Sequence, residues 1–171
     1  MPDPQSTSVV PSFASLQPGT VKLETVLVPV AFVGPSLTVG YALALARSAS
    51  IKVVVLHVLE VPRSQLNPMV FASVEEIQSK LDGWRRQALE RLDSLSEVFK
   101  AAGIRCTTSV RMGVPHEEIL EEAETIRPDL IIVGSRAAST LSRFLLGGTA
   151  GHVIRHAPCS VLVARPTRTE G

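Results

Sequence analysis

The order of secondary-structure signals predicts an α/β domain built on a parallel sheet. Two observations carry this. Short apolar, β-branched runs alternate with helical periodicity from residue 25 to residue 164, in the order β-α-β-α-β-α-β-α-β. The run Lys52–Leu59 (KVVVLHVL) is almost continuously apolar, the signature of a strand buried on both faces. Strands joined in this order lie parallel and connect by right-handed crossovers.

Each element has its own warrant. Thr25–Val30 (TVLVPV) reads as the first strand. Ser36–Ser50 places Leu37, Tyr41, Ala44 and Leu45 at helical spacing, with Ser36 as N-cap. Lys52–Leu59 is the second strand, and Val61–Phe71, with Pro62 and Pro68, is a loop. A long helix spans Ser73–Ala102, its apolar stripe stepping by three and four through Val74, Ile77, Leu81, Trp84, Ala88, Leu92, Leu95 and Phe99. Ser73 with Glu76 forms a capping-box pattern at its start, and Gly103 suits the position just past its end. The stripe assigns Trp84 to the core.

Ile104–Val110 is the third strand. Pro115–Thr125 is a helix opened by Pro115, and the acids of His116-Glu117-Glu118 fit the positive end of its dipole. Leu130–Val133 is the fourth strand, Arg143–His156 the last helix, and Ser160–Ala164 the fifth strand. Residues 1–21 and 167–171 read as tails flanking one domain over 22–166, with no repeat and no second domain.

Composition narrows the function. Hydrophobic residues make up 45% and charged residues 19%, ordinary for a globular protein with one core. Seventeen basic side chains balance sixteen acidic ones, so charge gives no support to a nucleic-acid or membrane partner. No apolar run approaches the roughly 18 residues that span a bilayer. The start of the chain lacks the basic residues of a signal peptide, so the expected location is the cytoplasm. Cys106 and Cys159 lie far apart in strand-like surroundings and read as small core residues, not a disulfide framework.

Chemistry concentrates after the fourth strand. Gly134, the pair Gly147-Gly148, the hydroxyl of Thr149 and a helix start follow one another. Bare N–H groups and the helix dipole then point at one place and suit a phosphate. The arginines from Arg136 onward suit an anion there, and equally a solvated helix face. Ligands in such sheets bind at the carboxyl ends of the strands, at the switch in strand order. That brings together the loops after Val30, Leu59 and Val133.

Other motifs are weaker. No lysine follows Gly147-Gly148-Thr149, so there is no P-loop. Gly148–Ala150 is not a nucleophile elbow, and the glycine loop follows the fourth strand, not the first, against a dinucleotide fingerprint. No catalytic residue is assigned. His152 and His156 have the i, i+4 spacing of a metal pair, but no third ligand is evident and no metal site is assigned. His57, in an apolar strand, reads as a hydrogen-bonded residue at the core or the pocket edge.

The blocks TVLVPV, VVVLHVLEVP, GVPHEEIL, RPDLIIVGSR and FLLGGTAGHVIRHAPCSVLVAR together resemble the universal stress proteins, over about Lys22 to Arg165. The resemblance implies an open, Rossmann-like parallel sheet of the adenine-nucleotide alpha-hydrolase type, of order 3-2-1-4-5, with helices on both faces. It also implies a homodimer formed through Ser160–Ala164, acting in stress responses with further protein partners the sequence does not name.

The family's ATP-binding branch carries glycine, two residues, glycine, nine residues, then glycine and a hydroxyl residue. On this chain those positions are Gly134, Ala137, Gly147 and Gly148, with Thr149 one place later and Ala150 after it. The branch has an aspartate just after the first strand, where this chain has Ala31. Pro29, Val58 and Val133 keep their pocket positions.

Alanine at a position needing positive φ costs about 1–2 kcal/mol, and the missing carboxylate about 1–3 kcal/mol. Together these weaken binding roughly thirty- to several-thousand-fold. The expectation is a regulatory module with a degenerate ATP site, magnesium-bound when filled and at most a slow ATPase. The alternative is a nucleotide-free dimeric interaction protein.

Overall fold

The computed structural model describes residues 22–32, 37–48, 50–60, 73–135 and 148–165. In chain order the elements are β1 (Thr25–Val30), α1 (Leu37–Ser48), β2 (Lys52–Leu59), α2 (Val74–Ala101), β3 (Arg105–Met112), α3 (Pro115–Ile126), β4 (Leu130–Gly134), α4 (Gly148–His156) and β5 (Ser160–Ala164). The five strands form one parallel sheet in the order β3-β2-β1-β4-β5. The strand order changes direction between β1 and β4, and this fixes where the carboxyl-end loops meet.

Alternation along each strand divides the core in two. Val26, Val28 and Val30 of β1, with Val53 and Val55 of β2, pack on α1 and α2 through Val39, Ala42, Leu92 and Phe99. Leu27, Val54, Leu56, Ile131 and Val133 turn the other way, onto Ile119 and Ala123 of α3 and Val153 of α4. The unbroken valine run of β2 is explained by helices covering both faces.

Several boundaries move by a residue or two. β3 runs to Met112, beyond the expected Val110, because its neighbour β2 offers a ladder partner up to Leu59. Ile104 precedes β3 and belongs to the end of α2: its N–H bonds the Phe99 carbonyl at 2.9 Å, while that of Gly103 bonds Lys100 at the same distance. Gly103 has φ +72°, so α2 closes in a Schellman motif that favours glycine. At the other end the Ser73 hydroxyl accepts the Glu76 N–H at 3.2 Å, as the capping box predicts. Ser36, the expected cap of α1, and Arg143–Gly147, the expected first residues of the last helix, lie outside the described residues, as do both tails.

Two polar devices tie the elements together. The Asp129 carboxylate accepts from the backbone N–H groups of Glu24 and Thr25 at 2.8 and 2.9 Å, clamping the turn before β4 to the start of β1. The N–H groups of Thr25 and Glu24 hold its carboxyl below the ordinary value of 3.8. On α3, the first-turn acids do more than answer the dipole. Arg111 of β3 bonds Glu118 at 2.7 Å and Glu122 at 3.0 Å, and also contacts Glu121. Glu122 is buried, so the guanidinium neutralises a carboxylate that is largely withdrawn from water.

Cys106 and Cys159 are free thiols, half-buried at the margins of the two core clusters. Burial raises both thiol pKa values.

Candidate functional site at the carboxyl edge of the sheet

The residues singled out in the sequence gather at one edge. Pro29 lies near the end of β1 and Ala31 just beyond it, Val58 lies near the end of β2, and Val133 and Gly134 end β4. Gly148, Thr149 and Ala150 form the first turn of α4. Ala137 and Gly147 lie outside the described residues. Val58, Val133 and Ala150 share the α3/α4 apolar cluster, and alternation from Leu27 puts Pro29 on the same face. The structure thus brings a small apolar floor against the open end of a helix.

Gly148 has φ +73°, and a Cβ built on it would meet nothing within 4 Å. Backbone conformation, not space, demands glycine here, and any other residue would be strained by about 1 kcal/mol. Gly134 differs. It is exposed, and a Cβ there would make ordinary contact with the Thr38 methyl at 3.6 Å. At that point neither space nor a special dihedral demands glycine. Ala31 is exposed and brings no charge to the edge.

His57 occupies the opposite face. Its Nδ1 lies 2.8 Å from the Val30 carbonyl. Nδ1–H is therefore the donor, and the bond satisfies the last acceptor of β1. Its ring packs on Phe32, with centroids 4.5 Å apart and tilted by 46°. Phe32 itself has φ +52°, an uncommon conformation for a bulky residue.

Trp84 corrects an expectation. It is half-buried, not core, and walls a cavity of about 260 Å³ together with Phe32, His57, Glu60, Gln87 and Arg91. The helical stripe of α2 is regular, but the sheet beneath it ends first. At 1.5 Å per residue the 28 residues of α2 run about 42 Å, while the eight of β2 cover about 26 Å. Among the stripe residues only Ala88, Leu92 and Phe99 are buried. The mismatch in length was available from the sequence, and it is the signal that would have found the cavity.

The histidines of α4 also look different in space. His152 stacks on His116 of α3 at 4.2 Å, and His156 Nδ1 lies 3.0 Å from the His152 carbonyl. Desolvation, then His116, Arg155 and His156, lower the His152 pKa. Among the described residues no group of three His, Cys, Asp or Glu side chains is arranged to hold a metal, and no helix is long and apolar enough to cross a membrane.

The profile of the universal stress protein family matches residues 22–165. The chain is similar to a universal stress protein of Methanocaldococcus jannaschii, 31% identical over 133 residues, which span 76% of this chain and 74% of that one. Its fold matches that of a universal stress protein solved in complex with cAMP, with TM-score 0.60, 22% identity and coverage of 82% and 95%. It likewise matches that of an Arabidopsis thaliana family protein with AMP bound, with TM-score 0.60, 22% identity and coverage of 86% and 94%. With the sheet order and the carboxyl-edge glycines already in place, the match over nearly all of the folded chain leads to one conclusion: this protein belongs to the universal stress protein family.

Proposed function

We propose that the protein is a cytoplasmic regulatory module that takes up an adenine nucleotide weakly at the carboxyl edge of its sheet. One observation carries the reading. α4 opens at Gly148, where its first-turn N–H groups have no intrahelical partner, next to the apolar floor of Val58, Val133 and Ala150. Relatives of the same fold solved with AMP and with cAMP support nucleotide binding. Ala31 and Ala137 account for the weakness. The first supplies no carboxylate for the ribose hydroxyls, and the second replaces a glycine of the family's phosphate-loop pattern. With magnesium the bound form is ATP, hydrolysed at most slowly.

Calorimetric titration with ATP and magnesium tests this. The wild type binds in the high micromolar to millimolar range, and Ala31→Asp combined with Ala137→Gly tightens binding by at least tenfold. No heat at millimolar ATP for either protein overturns the reading.

The exposed, uncharged Ala31 favours a second reading, a nucleotide-free dimer acting through protein contacts. ATP released from denatured protein, detected by mass spectrometry, would exclude it. In both readings the dimer forms through β5, an edge strand whose outer side has no neighbour within the sheet.

A further inference from the structure

The cavity under the overhang of α2 lies at the same carboxyl edge of the sheet, on the face opposite Val58, Val133 and Ala150. His57 and Phe32 belong to the α1/α2 side, while Val58, Val133 and Ala150 belong to the α3/α4 side. We infer that this cavity is a second ligand site, and that it takes a small planar aromatic molecule bearing one anionic group.

The walls set the shape. Trp84, Phe32 and His57 present three flat rings to one space, the surfaces on which an aromatic ring stacks. At about 260 Å³ the cavity falls just below the range of drug-sized pockets, a space matched to one or two fused rings.

The charges set the chemistry. The Arg91 guanidinium lies 5.7 Å from the centroid of Phe32, against the ring face. Among the described residues it has no carboxylate partner. A guanidinium lying over a ring and without a carboxylate partner keeps its N–H fork available to a carboxylate or sulfonate. His57 gives its Nδ1–H to Val30, so in the neutral ring the second nitrogen remains an acceptor. Gln87 adds an amide able to donate and accept. Glu60 also lines the cavity, and its charge discriminates against di- and trianionic ligands.

The backbone adds a third observation. Phe32 is held at φ +52°. Strain of this kind survives only where the surroundings impose it, and it gathers at ligand sites. His57 packs on the ring and Arg91 lies over it, so the result is an aromatic wall beneath a cation.

The chain has a single tryptophan, and it stands in the wall. Its indole N–H gives one resonance in a 1H–15N spectrum of the full chain. Titration with 2-naphthoate is expected to shift that resonance saturably. The uncharged 2-naphthamide should bind at least tenfold more weakly. Arg91→Gln should weaken 2-naphthoate at least tenfold and remove the preference over the amide, and Arg91→Lys should restore part of it. ATP with magnesium should not displace 2-naphthoate.

Three outcomes would overturn the proposal: no saturable shift at millimolar 2-naphthoate, equal binding of acid and amide by the wild type, or displacement by ATP. The comparison of acid with amide needs no variant, so a misfolded Arg91 mutant leaves the test intact. Failure here leaves the nucleotide reading standing, because that reading is judged by ATP binding at the other face.

Discussion

Single residues decide how polar groups are tolerated at the α3 side of the molecule. Arg111 holds Glu118 and Glu122 through hydrogen bonds and contacts a third carboxylate, and one of the two, Glu122, is buried. Removing the cation strands a buried charge, which costs more than the pair contributes. Arg111→Met should therefore destabilise the protein by about 2–4 kcal/mol, read as a fall in melting temperature. Adding Glu122→Gln should recover part of the loss. A second prediction concerns His152. Its pKa is lowered by desolvation and by His116, Arg155 and His156. A histidine with a lowered folded pKa takes up its proton more readily when unfolded. It therefore subtracts stability as pH falls through its ordinary value of 6.5 and no longer does so at neutral pH. His116→Ala should raise the His152 midpoint, as measured by NMR titration of the imidazole protons. An unchanged midpoint would mean the stack has no electrostatic consequence. None of these pairings could be read from the sequence. Arg111 and Glu122 are eleven residues apart, on a strand and a helix, and His116 lies thirty-six positions from His152.

Within the elements, local sequence does most of the work. The strand β2, the Ser73 cap, Pro115 at the start of α3 and the Gly103 stop all follow from side-chain chemistry within a few residues. Two glycines in and beside α2 separate conformation from composition. Gly103 sits at φ +72° in the Schellman turn. Gly103→Ala should cost about 1 kcal/mol, by chemical denaturation. Gly83, inside the helix, has nothing within 4 Å of the place a methyl group would take. It should behave oppositely, Gly83→Ala adding about 0.5–1 kcal/mol. Equal signs for the two substitutions would refute the assignment of the helix end. Trp84 shows where element-level reasoning stops. The stripe placed it on the correct face of α2, but whether a strand lies beneath it depends on how far the sheet extends.

For the whole molecule, the sheet order places β1 and β4 side by side, so their carboxyl ends open at the switch point and α4 starts over it. The same order leaves β5 at one edge. Light scattering coupled to size exclusion should give twice the chain mass of 18.3 kDa. A mass of one chain would remove the proposed pairing through β5. Asp129 acts at this scale too, joining the start of β1 to the turn before β4 across more than a hundred residues of chain. Its carboxyl is held below its ordinary value of 3.8, so its contribution is present above that pH and lost as pH falls through the lower folded value. Asp129→Ala should lower stability at pH 7 by about 1 kcal/mol, with a smaller difference from wild type once the pH lies below the folded value.

The parallel α/β architecture was legible in the chain alone, because a continuous valine run, helical stripes and caps are local patterns with local causes. Resemblance to a family then supplied the sheet order and the positions to inspect, from Pro29 to Ala150. Which of those positions face one another came only with packing. Val58 and Val133 stand on one side and His57 on the other, because neighbouring residues of a strand point to opposite faces. Packing also revealed that α2 outruns the sheet, which turned a tryptophan of the apolar stripe into the wall of a cavity. Helix length and strand length are each written locally, but the space between them exists only once the two are packed.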